Sequence, residues 1–310
     1  MDKYIGIDIG GTKCAVVAGD ENGNVLDRFA IPTGDCEETL AQLFDAVEKH
    51  QGYKAIGVSC GGPLNAVTGT ILSPPNLPGW DNVEITKRLT ERFKVPAFLR
   101  NDADACAVAE WKYGAGRGTR NMVFLTCGTG MGAGLILDGK LYSGTNGSAG
   151  EVGHIRLTDA GPVGYGKIGS FEGYCSGGGI AQLGETVARV YAQQGKPVSW
   201  ADGTPVTAKR LAEAANVGDK AALEVWKLSG QMLGRGISIL IDLLNPERIV
   251  IGSIFQRSEN LLRGEMEDVI VRECLAQTVG VCEIVPAQLG DSIGDIAALS
   301  IAVSGIKGEL

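Results

Sequence analysis

Short apolar stretches separated by glycine-rich turns open the chain. Residues 4–9 and 14–18 are rich in Ile, Val and Ala, and the turn between them contains Gly10, Gly11 and Thr12. The next turn, at residues 20–24, has the sequence DENGN, which is typical of a tight hairpin. The pattern therefore predicts three consecutive strands in the first part of the chain.

Helical and strand patterns follow one another after this opening. Residues 37–50 and 84–93 carry apolar positions at helical spacing, whereas 55–60 and 95–100 are short apolar runs typical of buried strands. Asn101 and Asp102 follow the second of these runs and begin another predicted helix. Near the C-terminus we predict a buried strand at 249–253 and a last helix with Asp295 as a candidate cap.

The strand pattern of the opening segment recurs from residue 121. The chain again has an apolar strand, a glycine-threonine turn at 127–129, a second strand, an Asp-Gly turn and a third strand. This weak internal duplication predicts two α/β domains of like topology that face each other across a cleft. A chance similarity between two glycine hairpins is the alternative.

Composition and charge argue against several classes of protein. The 310 residues are enough for two domains, and the 46 glycines lack the three-residue period of collagen. A formal net charge of −8 argues against a nucleic-acid partner, and no apolar run reaches the roughly 18 residues of a membrane span. Eight cysteines without CxC or CxxC spacing give no support to a zinc-ribbon or redox motif. We expect a cytoplasmic protein.

Two glycine turns are candidate phosphate-binding sites. The backbone N–H groups of Gly10 and Gly11 and the hydroxyl of Thr12 suit phosphate oxygens, and Asp8 could hold Mg²⁺ through water. A plain β-hairpin is the alternative for this turn. The second turn, CGTGMGAG at 127–134, would offer a matching phosphate site in the other half of the chain.

Carboxylates and one histidine provide the remaining candidate chemistry. Asp102, at a strand-to-helix junction, is a candidate acceptor for the proton of an attacking hydroxyl, although helix capping would explain it equally well. Glu151, His154 and Glu172 lie in glycine-rich segments and would together offer two acceptors and one group that donates or accepts. Such a cluster suits a polyol, although a lone histidine more commonly has a structural role.

An ordered series of motifs extends over nearly the whole chain. The motifs are DIGGTK at 8–13, SCGGP at 59–63, SPPNLPGW at 73–80, NDADACAVAE at 101–110, CGTGMGAG at 127–134, GSAGEVGH at 147–154 and LLNPERIVIGS at 243–253. With this series the chain resembles the ROK family (repressors, open reading frames and kinases) of the actin-like ATPase superfamily. The resemblance implies an α/β protein of two actin-like (ribonuclease H-like) domains facing a cleft. Residues 1–117 with about 290–310 would form the N-terminal domain, and 118–289 the larger C-terminal one.

The same resemblance implies an ATP-dependent kinase that phosphorylates a hexose, in the first instance glucose on its 6-hydroxyl. Asp102 would be the general base, and Mg²⁺ would accompany the ATP. The residues of the sugar pocket would be Gly62, Asn76, Asn101, Gly130, Glu151, His154 and Glu172. The residues that bind the nucleotide would be Asp8, Gly10, Gly11, Thr12, Lys13, Thr129 and Gly252. The family also suggests a homodimer.

The segment after His154 departs from the family pattern. Many ROK kinases have a CxCGxxGC segment there that binds a structural zinc with the histidine, whereas residues 155–174 contain no cysteine. A structural zinc site needs four N or S ligands, so we expect no zinc. The sugar preference is left open by this departure.

Other members of the family provide alternative functions. An N-acetylhexosamine, fructose or allose kinase is one alternative, and a non-catalytic sugar-sensing or transcriptional regulator is another. The acidic charge and the first strand at about Tyr4, which leaves no room for a preceding helix-turn-helix, argue against DNA binding. The intact Asp102 and both glycine turns argue against a silent sensor.

Overall fold

A computed structural model describes residues 2–310, apart from the side chain of Asp291, as a mixed α/β fold. The strands are β1 (Lys3–Ile9), β2 (Lys13–Asp20), β3 (Val25–Pro32), β4 (Tyr53–Cys60), β5 (Leu64–Asn65), β6 (Thr70–Ile71), β7 (Ala97–Asn101), β8 (Met122–Cys127), β9 (Met131–Leu137), β10 (Lys140–Leu141), β11 (Val163–Gly164), β12 (Lys167–Ile168), β13 (Arg248–Ile251) and β14 (Glu283–Pro286). The α-helices are α1 (Cys36–Glu48), α2 (Ile85–Phe93), α3 (Asp102–Tyr113), α4 (Phe171–Cys175), α5 (Gly177–Gln193), α6 (Ala208–Asn216), α7 (Lys220–Leu244), α8 (Ile254–Glu273) and α9 (Ile293–Lys307). Short 3₁₀ helices cover Val152–His154 and Gly290–Ser292.

The two larger sheets have the same strand order. The first sheet has the order β3-β2-β1-β4-β7, and the second has the order β10-β9-β8-β13-β14. In the first sheet β1, β2 and β3 pair antiparallel, and β4 and β7 are added in parallel. In the second sheet β9 and β10 pair antiparallel, and β13 and β14 in parallel. The repeated order confirms the duplication that the two glycine hairpins predict.

Contacts divide the chain into two compact units. The first unit contains the residues up to Phe124 together with Gly134–Gly150 and Gln288–Leu310. The second unit contains Leu125–Ala133 and Glu151–Ala287. The domain limits expected from the sequence, 1–117 with about 290–310 and 118–289, stay a prediction.

Helix α9 packs directly on strands β1 and β4 of the first unit. Ala298 and Ala302 are fully buried in this contact. A Cβ atom on Gly57 of β4 would lie 2.2 Å from the carbonyl oxygen of Ala298 and 2.4 Å from the nitrogen of Ala302. Glycine at position 57 therefore lets the backbone of the strand approach the backbone of the helix.

The ends of the predicted elements agree with the structure to within a few residues, with one exception. The helix predicted at 37–50 is α1, whose cap Asp35 accepts hydrogen bonds from the N–H groups of Glu37 and Glu38. The prediction that Asp295 caps the last helix is wrong, because the 3₁₀ turn at Gly290–Ser292 leads straight into α9 and places Asp295 in its first turn. Its carboxylate instead accepts a hydrogen bond from Arg28 Nε at 2.6 Å.

Helices α7 and α8 pack closely in the second unit. A Cβ atom on Gly234 of α7 would lie 2.6 Å from the carbonyl oxygen of Met266 on α8, so glycine allows the short distance between the helices. Helix α7 ends at Leu244, where Asn245 takes the left-handed conformation with φ of 45°. Over the described residues, neither this helix nor any other combines the length and apolar character of a membrane span.

We predict that Gly57→Ala destabilises the first unit. The added methyl group meets backbone atoms of α9, which cannot move aside as a side chain could, and overpacking of this kind costs about 1–3 kcal/mol or more. The free energy of unfolding, measured by urea titration, should fall accordingly. Gly264→Ala is the matched control, since no atom lies within 4 Å of its Cβ position in α8 and alanine is favoured there by about 1 kcal/mol. Equal losses of stability in the two variants would contradict this packing argument.

Candidate functional site

The turn between β1 and β2 in the first unit has free backbone donors. Thr33 fixes the turn: its Oγ1 donates to the carbonyl oxygen of Gly10 at 2.6 Å, and its N–H donates to that of Thr12 at 3.0 Å. The N–H groups of Gly11 and Thr12 have no hydrogen-bond acceptor among the described residues. Both residues and Lys13 are exposed. Unpaired N–H groups in a turn of this kind suit the oxygens of a phosphate.

Asp8 lies near the end of β1, close to other carboxylates of the first unit. Burial, followed by the charges of Asp295 and Asp102, raises the pKa of Asp8 to about 6. Its Oδ2 atom is 3.1 Å from the Cβ position of Gly294, in the first turn of α9. Gly294 was not among the residues expected from the sequence, although a glycine in the acidic segment DSIGD at 291–295 was a visible signal.

The carboxylate of Asp8 is suited to a metal ion that arrives with phosphate. No group of three or more His, Cys, Asp or Glu side chains that could hold a metal ion occurs in the described chain. Mg²⁺ commonly uses only one or two carboxylates and completes its shell with water and substrate phosphates. Asp8 beside the free N–H groups of Gly11 and Thr12 fits this mode of binding. The absence of a structural zinc site stays a prediction.

Asn101 and Asp102 have different contacts at the start of α3. Asn101 Oδ1 accepts a hydrogen bond from the N–H of Asp104 at 2.7 Å and is the cap of the helix. Asp102 Oδ1 accepts from the N–H of Ala103 at 2.9 Å, and the residue stays accessible to solvent. The surrounding protein atoms nevertheless desolvate the carboxyl group and raise the pKa of Asp102. An accessible carboxylate with a raised pKa is a candidate proton acceptor.

Two further residues predicted to bind sugar lie in exposed loops of the first unit. Gly62 follows β4, and no atom lies within 4 Å of its Cβ position. Asn76 packs against the first glycine turn, because a Cβ atom on Gly11 would lie 2.7 Å from the carbonyl oxygen of Asn76. The structure thus brings Asn76 and the first glycine turn together.

The second glycine turn, at Gly128–Gly130, lies against the N-termini of two helices in the second unit. The carbonyl oxygen of Gly128 accepts a hydrogen bond from the N–H of Gly177, the first residue of α5, at 2.8 Å. The Cβ position of Gly128 is 3.5 Å from the Oγ of Ser253, which precedes α8. Thr129 and Gly130 are exposed, and within the described residues no acceptor pairs with their N–H groups. Helix N-termini and free N–H groups together favour a bound anion.

Gly252 and Ser253 connect β13 to α8 beside this turn. Gly252 is buried, and its N–H donates to the carbonyl oxygen of Leu125 at 2.9 Å. Ser253 has φ of 56° and ψ of −111°, a conformation that non-glycine residues rarely adopt. Such strain occurs often at ligand sites. Ser253 was not among the residues expected from the sequence. Nor was the run SGGG at 176–179 that starts α5, although three consecutive glycines at a helix start were a visible signal.

Glu172 connects the second glycine turn to the predicted sugar-binding segment. Its Oε2 accepts a hydrogen bond from the N–H of Met131 at 2.9 Å and lies 3.0 Å from the Cβ position of Gly130. On the other side, the Cβ position of Gly153 is 3.3 Å from the Cβ of Glu172. Glu172 is therefore packed between the turn and the 3₁₀ helix that carries His154.

Glu151 and His154 are both exposed at the two ends of this 3₁₀ helix. Their contact is made by the backbone, since the N–H of His154 donates to the carbonyl oxygen of Glu151 at 3.1 Å. In the part of the chain described, no hydrogen bond joins the side chains of Glu151, His154 and Glu172. The side chains of Glu151 and His154 therefore keep their polar atoms available for a ligand.

Hydrogen bonds and close packing order the cysteine-free segment that follows His154. The hydroxyl of Tyr174 donates to the carbonyl oxygen of Ala160 at 2.9 Å and lies 2.9 Å from Thr158 Oγ1. Arg156 Nη1 donates to the carbonyl oxygen of Ile168 at 2.8 Å, which fastens the β11–β12 hairpin to the start of the segment. Phe171, at the end of the segment, is fully buried.

Comparisons with known proteins agree on one family. The ROK family matches residues 4–304 of the chain. The glucokinase of Thermotoga maritima is 32% identical over 319 residues, which cover 99% of each protein. Among solved structures, a ROK hexokinase from Thermus thermophilus has a TM-score of 0.83 at 27% identity and covers 99% of both chains. A ROK family glucokinase from Streptomyces griseus, in complex with glucose and AMPPNP, has a TM-score of 0.75 at 27% identity and covers 97% of this chain and 99% of its own.

These likenesses and the duplicated sheets agree with the ordered motifs of the sequence. The two larger sheets repeat one strand order, and the match to the Thermus thermophilus structure extends over nearly all of both chains. The protein therefore belongs to the ROK family and has the actin-like α/β fold of its sugar kinases.

Proposed function

We propose that this protein is an ATP-dependent hexose kinase in which Asp102 is the general base. Membership of the ROK family and similarity to proteins named glucokinase support a sugar kinase. The assignment of the base rests on the carboxylate of Asp102, which is accessible to solvent and has a raised pKa. It lies in the same unit as a glycine turn with two unpaired N–H groups. We take glucose, phosphorylated on its 6-hydroxyl, as the first substrate to test.

Phosphate binding is assigned to the two glycine turns. The N–H groups of Gly11 and Thr12 in the first unit, and those of Thr129 and Gly130 in the second, donate to phosphate oxygens. Lys13 has no ion-pair partner within the described chain and adds positive charge beside the first turn. Gly252, next to the strained Ser253, would lie near the adenine side. Phosphoryl transfer requires little covalent chemistry from the protein, so orientation of the phosphates is the main task of these residues.

Asp8 is the residue that would hold Mg²⁺, through water. When bound, the ion neutralises negative charge on the phosphates that would otherwise repel the attacking oxygen. Burial and the carboxylates of Asp295 and Asp102 make the ionised form of Asp8 unfavourable on its own. A cation would relieve that repulsion, which is why a single carboxylate here fits a metal delivered with ATP.

Asp102 accepts the proton of the attacking sugar hydroxyl. The raised pKa makes it a better base than an ordinary aspartate, and solvent accessibility lets a substrate reach it. Asn101 fixes the start of α3 through its side-chain oxygen, so its amide NH₂ group is left to contact the sugar. Gly62 and Asn76 in the first unit, and Gly130, Glu151, His154 and Glu172 in the second, complete the proposed set of sugar contacts.

Asp102→Asn should lower kcat by at least about 100-fold, because the amide keeps the shape of the side chain but cannot accept the proton. The KM values for sugar and ATP should change little. A coupled assay of ADP release measures both. Asp138→Asn is the matched control, since Asp138 is exposed in the β9–β10 turn and should retain full activity. Retention of more than about a tenth of the wild-type kcat by Asp102→Asn would contradict the assigned role.

The acidic limb of the pH profile should reflect the raised pKa of Asp102. Protonation removes the base, so kcat/KM falls as the pH is lowered through that pKa, at a pH above the ordinary titration of an aspartate. The profile is measured with wild-type enzyme and with Asp102→Asn. In the variant any remaining acidic limb should lie at lower pH, because loss of the Asp102 charge also lowers the pKa of Asp8. A limb of unchanged position in the variant would show that another group controls it.

A panel of glucose, mannose, fructose, allose and N-acetylhexosamines tests the substrate assignment. We expect glucose to give the highest kcat/KM, with ADP and sugar phosphate formed in equal amounts. A higher kcat/KM for another sugar would correct the substrate and keep the kinase. Sugar binding with no ADP release for any sugar would instead support a non-catalytic sugar sensor. Cytoplasmic location and a homodimer stay predictions.

A further inference from the structure

The β11–β12 hairpin of the second unit has an unusual residue at its turn. Gly164 pairs with Lys167, so Tyr165 and Gly166 form a two-residue turn, with φ values of 44° and 77°. Positive φ at both positions defines the type I′ turn, in which Asn, Asp and Gly are strongly preferred. A tyrosine at the first position is therefore strained, because this left-handed backbone conformation brings its Cβ too close to the following carbonyl oxygen.

Burial does not compensate for this strain. Tyr165 is 84% exposed. Among the described aromatic rings its contact is with the imidazole of His154, edge to face, with 6.5 Å between the ring centroids. His154 is itself exposed, so the pair contributes little to the core. An exposed aromatic ring in a strained turn points to a role outside folding.

The hairpin is held in place beside the proposed sugar contacts. Lys167 Nζ donates to the carbonyl oxygen of His154 at 2.7 Å. At the other side of the turn, a Cβ atom on Gly164 would lie 2.8 Å from the Cβ of Glu172. The tip of the hairpin is thus fixed to the backbone of His154 and packed on Glu172, and the ring of Tyr165 stands next to polar atoms that are free to bind hydroxyl groups.

We propose that Tyr165 is a substrate-binding residue that packs its ring against an apolar face of the hexose while His154 and Glu172 bind the hydroxyl groups. A pyranose presents C–H groups on its faces and hydroxyl groups at its edge. An aromatic ring beside a few polar groups is the usual composition of a small-ligand site. The inference rests on the proposed function, because it takes the ligand at His154 to be the hexose.

Tyr165→Asn separates a binding role from a structural one. Asparagine suits the first position of a type I′ turn, so the Tm of the variant should equal or exceed that of the wild type. The Kd for glucose, measured by calorimetry without nucleotide, should rise about five- to tenfold, as for the loss of one aromatic contact. The KM for glucose should rise by a similar factor, whereas the KM for ATP should not.

Two controls make the result specific. Tyr165→Phe keeps the ring and should keep the Kd within about twofold of the wild type, given the ring as the main contact. Tyr142→Asn removes another exposed tyrosine, in the first unit, and should leave glucose binding unaltered. A Tyr165→Asn variant with wild-type Kd overturns this inference and leaves the kinase assignment intact. Wild-type protein that binds no hexose of the panel overturns both.

Discussion

The candidate site depends on one constraint, which is that the unpaired backbone N–H groups of two glycine turns stay exposed. An unpaired N–H group is tolerated only where solvent or a ligand can reach it, because burying it without a partner is costly. Both turns meet this requirement in the same way. Hydrogen bonds to neighbouring segments occupy the carbonyl oxygens of Gly10, Thr12 and Gly128, whereas Gly11, Thr12, Thr129 and Gly130 remain exposed. The fold therefore fixes the turns through their acceptors and leaves their donors exposed.

Local chemistry allowed much of the fold to be predicted. The DENGN turn and the two glycine hairpins follow from residues a few positions apart, and each sheet begins as they predict. Asp102 could not be distinguished from a helix cap by sequence, because Asn and Asp serve that role equally well. In the folded protein Asn101 is the cap, because its Oδ1 accepts from the N–H of Asp104. The contact of Gly294 with Asp8 joins distant parts of the chain, which no local pattern can reveal.

Hydrogen bonds to backbone carbonyl oxygens order the segment after His154, which contains no cysteine up to Tyr174. The hydroxyl of Tyr174 and the guanidinium of Arg156 donate to backbone carbonyl oxygens of this segment, and the ammonium of Lys167 donates to that of His154. These bonds fix the segment at several separate points. The position of Glu172 then follows from its place beside the buried Phe171, at the start of α4.

The close fit of α9 on β1 and β4 has a consequence for the order in which the protein can form. Strands β1 and β4 leave the ribosome long before the helix that covers them, because α9 lies far from both along the chain. Until α9 has been synthesised, Gly57 of β4 faces no helix and the carboxylate of Asp8 lacks the neighbouring Gly294. The nascent protein therefore exposes part of its first sheet until α9 emerges, and its first glycine turn acquires its final surroundings only then.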